Sequence, residues 1–138
     1  MVSDSLSQTF GMIDIAAGVI GFFSLLVGGF GIANIMFVSI KERTSIIGLQ
    51  KALGAKRIFI LSQFLFESVF LCIIGALMGI VFVIGLGLLA SHLTSFQVFF
   101  SFSIFTFGIS IAIGIGIIAG ISPAIIASKM DPVIALRK

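Results

Sequence analysis

The sequence predicts an all-α membrane protein with three transmembrane helices, and composition and charge placement are the grounds for this. Hydrophobic residues make up 59% of the 138 residues and charged residues 9%, whereas about a quarter of the residues of a soluble domain are charged. Three apolar runs are each long enough to cross a hydrocarbon core of about 30 Å. All eight Lys and Arg residues lie outside these runs, in the segments 41–57 and 129–138.

The first helix is predicted over residues 14–40, after a short polar segment. Residues 1–11 contain no Lys or Arg, so they lack the basic start of a secretory signal peptide. We expect them to form an extracytoplasmic lead-in. The helix should end where Lys41 opens a charged loop, which spans residues 41–57.

The second helix is predicted over residues 58–90 and the third over residues 102–127. Glycines four residues apart, the spacing that lets membrane helices approach closely, lie in both. They are Gly75 with Gly79 and Gly116 with Gly120. Pro123 should kink or terminate the third helix, because proline lacks the amide hydrogen that a helix interior requires. Residues 128–138 then form a tail.

The distribution of basic residues predicts the orientation. No Lys or Arg precedes the first helix or lies between the second and third helices. The positive-inside rule therefore places the amino terminus outside and the carboxyl terminus inside. The net charge of +3 is explained by this topology, with lipid headgroups as the partner, and no folded basic surface suggests nucleic acid.

The sequence offers little for catalysis. It contains no HExxH, CxxC, GxSxG or GxxxxGK[ST] motif, so we expect no bound cofactor or metal, no catalytic residue and no nucleotide site of P-loop type. Glu67 lies inside a predicted span, whereas Asp14 is at the outer edge of one, and intramembrane carboxylates are often functional. Because it lies close to the charged loop, we favour an ion pair with Lys56, Arg57 or a basic group of a neighbouring helix.

The loop of residues 41–57 holds five of the eight basic residues and is amphipathic. We predict a bend near Gly48, a short helix from Leu49 to Leu53 and a turn at Gly54. Such a segment either lies on the inner leaflet or docks into a groove of a cytosolic protein. The residues by themselves leave both interpretations open. Its apolar side comprises Ile46, Ile47, Leu49 and Leu53.

Three short motifs lie in the loop, at the start of the second helix and at the carboxyl-terminal end. KERT at 41–44, IGL at 47–49 and KALGAKR at 51–57 together resemble ERTxEIGIxKALGA. QFLFES at 63–68 resembles QFLxEA, and residues 123–137 resemble PAxxAAxxDPxxALR. In this order the motifs resemble those of the FtsX/MacB-type permeases of ABC transporters, in which QFLxEA opens the third helix. The resemblance covers about residues 11–138.

The resemblance implies a bacterial permease of the inner (plasma) membrane that has four helices. A large extracytoplasmic domain separates the first helix from the second, and this chain matches the second to fourth helices. It implies three partners: an ABC ATPase subunit that holds ATP and Mg, a second permease copy, and the bilayer. ATP hydrolysis on the ATPase would then drive efflux, lipoprotein release or the regulation of a cell-wall hydrolase.

The resemblance also assigns a coupling role to the short helix of the loop, with Lys51 as its polar contact to the ATPase. The chain departs from the family at Ile46, where a Glu is frequent. The alternative is a truncated, non-transporting membrane remnant or structural subunit, and a proton carrier that uses Glu67 is a third possibility. The coupling residues implied are Ile47, Gly48, Leu49, Lys51, Ala52, Leu53 and Gly54.

Overall fold

The computed structural model describes residues 2–94 and 101–131, and every regular element in these ranges is an α-helix. Three of the helices are long and apolar enough to cross a membrane, which confirms that part of the prediction. The fourth is a short helix between the first two long ones. The helices are α1 (Val2–Glu42), α2 (Thr44–Ala52), α3 (Arg57–Thr94) and α4 (Phe102–Lys129).

The helices run further than the sequence predicts. The segment expected as a lead-in is helical from Val2 onward and continuous with the first span. α3 extends to Thr94, into the expected connection, whose residues 95–100 lie outside the described ranges, as do residues 132–138. α4 passes through Pro123 to Lys129, so the proline does not terminate it. At 1.5 Å per residue, α1 is about 61 Å long, twice the hydrocarbon thickness.

The buried core lies at one end of the bundle, where all four helices meet. We call this the basic end, because the loop with its five Lys and Arg residues lies there. By contrast, the side chains of α1 from residue 12 to residue 28 are exposed. The side chains of the core are Met36, Ile40, Ile47, Ile60, Phe64, Ala124 and Ala127.

Open grooves lie between the long helices. One groove of about 500 Å³ is bordered by α1, α3 and α4, and its walls are almost wholly apolar. A second, of about 530 Å³, lies between α1 and α4. Apolar side chains surround the long helices on every side, as expected of segments whose solvent is lipid.

Candidate docking helix at the basic end

The short helix α2 is separated from α1 by a break at Arg43, which lies outside both helices. This residue has φ −95° and ψ 15°, yet its amide still donates to the Ser39 carbonyl at 3.0 Å. The Thr44 hydroxyl lies 3.0 Å from the Ile40 carbonyl and 2.8 Å from the Lys41 carbonyl, and so satisfies the end of α1. The prediction of a bend near Gly48 is therefore wrong: the break comes five residues earlier, and Gly48 is buried within α2.

The end of α2 is fixed by Gly54, whose φ of +94° is readily accessible only to glycine. The Ala55 amide donates to the Gln50 carbonyl and the Gly54 amide to the Lys51 carbonyl, both at 3.0 Å. This pair of bonds is the Schellman motif, which reverses the chain after a helix. The turn expected at Gly54 is present, and α3 begins three residues later at Arg57.

The sequence predicts a single apolar side for α2, but in the structure its apolar residues lie on two sides, one buried and one exposed. Ile47 is 2% exposed and belongs to the core. Leu49 and Leu53 are 52% and 81% exposed, and Ile46 is 54% exposed. These three side chains are spaced so that they share one side of a helix. We call Ile46, Leu49 and Leu53 the exposed apolar face. Ile46, the departure from the family pattern, thus belongs to it.

Lys51 points away from that face, toward the bundle. Its ammonium group donates a hydrogen bond to the carbonyl of Met130, the residue that ends α4. Burial and the positive charge of Arg57 lower the pKa of Lys51, while the carboxylate of Asp131 opposes that shift. Lys51 therefore has a partner within the chain, where the sequence led us to expect a contact with another protein.

Glu67 pairs with Arg43, the residue at the break between α1 and α2. The Arg43 Nη1 atom lies 3.5 Å from Glu67 Oε1, with the two side chains 50% and 31% exposed. The sequence led us to expect Lys56, Arg57 or a basic group of a neighbouring helix as the partner; the structure instead pairs Glu67 with Arg43, which lies between α1 and α2. Exposed pairs of this kind stabilise a fold only weakly.

Two of the four glycines proposed as packing sites lie against a neighbouring helix. A Cβ atom at Gly116 would lie 2.8 Å from the Val69 Cα, and one at Gly120 would lie 2.7 Å from the Ser68 Cβ. The Ser68 hydroxyl also donates to the Gly116 carbonyl at 2.9 Å. Ser68 is fully buried. The sequence analysis did not identify it as a packing residue, although its position at the end of the QFLFES motif was a signal that could have done so.

The glycine pair on α3 behaves differently. Nothing lies within 4 Å of a Cβ atom built at Gly75 or Gly79. Both border the groove between the three long helices. The close contact predicted for this pair is therefore not made within one chain, because α4 packs on α3 nearer the basic end, at Gly116 and Gly120.

Over the described ranges, no group of three or more His, Cys, Asp or Glu side chains is placed to hold a metal ion. The basic end presents an exposed apolar face flanked by cations, an arrangement suited to association with another molecule. Ala52, the remaining residue assigned to coupling, is exposed at the end of α2.

Comparison with known proteins gives a consistent result. The model of the FtsX-like permease C-terminal family matches residues 18–132. The macrolide export ATP-binding/permease protein MacB of Agrobacterium fabrum is 38% identical over 138 residues, 99% of this chain and 21% of that protein. The uncharacterized ABC transporter permease YknZ of Bacillus subtilis is 47% identical over 120 residues, 87% of this chain and 30% of that protein.

A third relative, MacB of Bdellovibrio bacteriovorus, is 46% identical over 136 residues, 97% of this chain and 20% of that protein. The chain therefore spans between a fifth and a third of the length of these relatives. The matched part includes α2 and its flanking turns.

Proposed function

The chain belongs to the FtsX-like permease C-terminal family, and from this premise we propose that it is the membrane-spanning, coupling part of an ABC transporter. It would act without a catalytic residue of its own. ATP and Mg would be held by an ABC ATPase subunit or domain. A second copy of the permease would complete the assembly, and lipid would surround it.

The observation that carries this proposal is the exposed apolar face of α2. Ile46, Leu49 and Leu53 are each more than half exposed, although they lie beside the charged residues of the loop. Apolar side chains grouped on one side of a short helix are suited to insertion into a protein groove. A cytosolic ATPase is the partner that the family membership favours.

We propose that the basic end faces the cytoplasm of a bacterial cell and that the amino terminus lies outside its inner membrane. The positive-inside rule supports this, since all eight Lys and Arg residues fall on the loop and tail sides. In that orientation α2 lies in the cytoplasm, where an ATPase could reach it.

We expect that a displacement of α2 is passed on to the long helices. α2 follows α1 directly across Arg43, whose amide donates to the Ser39 carbonyl and whose carbonyl accepts from the Ile47 amide, both at 3.0 Å. Ile47 also packs in the core with residues of α1, α3 and α4. Displacement of α2 would therefore move α1, which is long enough to reach the extracytoplasmic side.

Among the extracytoplasmic processes considered from the sequence, efflux has the most support. Two of the relatives compared above are named as macrolide export proteins. Lipoprotein release and regulation of a hydrolase are the other roles that the same coupling arrangement could serve.

Crosslinking tests the coupling role. A photoreactive residue at Leu49 or Leu53 should crosslink to the ATPase of the same transporter, found by gene neighbourhood and co-produced with the complete permease. Phe70, 64% exposed within the second span, is the matched control and should not crosslink to the ATPase. An assembled complex that gives no crosslink at Leu49 or Leu53 would overturn the assignment, and labelling of lipid at these positions would favour a segment that lies on the inner leaflet.

A further inference from the structure

We propose that Lys51 is a positioning residue that fastens the end of α4 to α2, so that a protein docked on α2 also moves α4. The inference rests on the proposed function for the identity of the docked protein. The fastening itself is a property of this chain and stands independently of that function.

The first ground is the direction of the Lys51 side chain. α2 turns its exposed apolar face outward, while Lys51 lies on the side of Ile47 and Gly48, which are buried. The ammonium group donates to the Met130 carbonyl, 79 residues along the chain. In the part of the chain that the structure describes, this is the hydrogen bond that joins α2 to the end of α4.

The second ground is the chemistry of the acceptor. Met130 follows the last residue of α4, and the carbonyl groups at the end of a helix lack partners within the helix. A cation at that end satisfies one of these carbonyls and is favoured by the helix dipole. Lys51 supplies the cation from another helix, so the end of α4 depends on the position of α2.

The third ground is the arrangement around this bond. Ile47 packs in the same buried cluster as Ala124 and Ala127 of α4, and Met130 packs against that cluster. Burial and the charge of Arg57 lower the pKa of Lys51, and the carboxylate of Asp131, next to Met130, opposes that shift. Apolar packing on one side and a charge-assisted bond on the other thus hold the two helices together.

Because of this bond, the two sides of α2 have different roles. Leu49 and Leu53 face outward and are free to meet a partner, while Lys51 and Ile47 face inward. Substitution of Lys51 should therefore leave docking intact and weaken the movement of α4 that docking produces. This separation makes the proposal testable by itself.

The first experiment measures amide hydrogen exchange of the permease in nanodiscs, without any ATPase. Lys51→Met keeps the unbranched stem but removes the donor, and we expect exchange at residues 127–131 to rise about tenfold, as for the loss of a charge-assisted hydrogen bond. Lys51→Arg should restore protection. Lys56→Met, at an exposed lysine of the same loop, is the control. Equal exchange in Lys51→Met and wild type would overturn the fastening.

The second experiment measures transmission. A spin label at Lys129, exposed in the last turn of α4, is placed in a Cys72→Ala background, and its mobility is recorded before and after the ATPase and ATP are added. Wild type and Lys51→Arg should respond, while Lys51→Met should lose the response although the crosslink at Leu53 persists. A response retained in Lys51→Met would refute transmission through Lys51. Absence of the crosslink in wild type would instead refute the proposed function, and the exchange experiment would still decide the fastening.

Discussion

The guanidinium group of Arg43 lies 3.5 Å from the carboxylate of Glu67, which ties the break between α1 and α2 to α3. The pair connects two elements that the buried core also joins, and it lies at the basic end. Glu67, considered from the sequence as a candidate for proton transport, thus has a basic partner beside the charged loop.

This pair should contribute little to stability. Because both side chains are partly exposed, Glu67→Gln should lower the free energy of unfolding by less than about 1 kcal/mol and should leave transport intact. Thermal unfolding in nanodiscs and an efflux assay measure the two effects, with Glu42→Gln as the control at an exposed position. Loss of efflux in a well-folded Glu67→Gln protein, with efflux kept in Arg43→Gln, would revive the proton-carrier hypothesis.

The contact between α3 and α4 should be intolerant of even one methyl group. Gly116→Ala places a Cβ 2.8 Å from the Val69 Cα, a backbone atom that cannot move alone, so the helices must separate at a cost of about 1–3 kcal/mol. Gly114→Ala is the matched control, since nothing lies within 4 Å of a Cβ there. Melting temperatures that fall equally in both variants would show that the close approach is unimportant.

The turn after α2 should require a residue that tolerates positive φ. Gly54 has open space around a Cβ, so the cost of Gly54→Ala is conformational and should be about 1 kcal/mol. Gly54→Asn should cost less, because asparagine adopts this conformation more readily. Hydrogen exchange at the Gly54 and Ala55 amides measures the effect, and equal protection in the two variants would contradict this explanation.

The exposed apolar face should matter for coupling and hardly at all for folding. Leu49→Ser combined with Leu53→Ser removes apolar groups that are 52% and 81% exposed, so the melting temperature should change little. If each leucine is buried on docking, affinity for the ATPase should fall by at least about tenfold, since each buried leucine is worth about 1.5–3 kcal/mol. Binding of the purified ATPase to permease nanodiscs measures this loss.

Phe66→Ser combined with Phe70→Ser is the control for that experiment. Both phenylalanines are well exposed on α3, at 75% and 64%, and lie outside α2. We expect them to leave ATPase binding unchanged. A loss of binding as large as that of the α2 variant would show that the exposed apolar face has no special role.

The sequence alone was sufficient for the membrane class, the three long helices and the family. A bilayer imposes severe demands on composition, and these are visible without coordinates: long apolar runs, with cations confined to the segments between and after them. The motifs around the loop and at Pro123 carried the resemblance. The turn at Gly54 was also readable, because few residues other than glycine can end a helix in that way.

Only the tertiary structure decided which side of each helix faces which neighbour. The long helices are apolar all round, so their sequences hold little information about rotation around the helix axis. Gly75 and Gly79 have the same spacing as Gly116 and Gly120, yet only the latter pair packs against a helix of this chain. Likewise, the sequence predicts that Lys51 contacts a partner protein, whereas in the structure its ammonium group donates to the Met130 carbonyl at the end of α4. Hydropathy fixes what lies in lipid, whereas side-chain partners depend on how closely the helices approach each other.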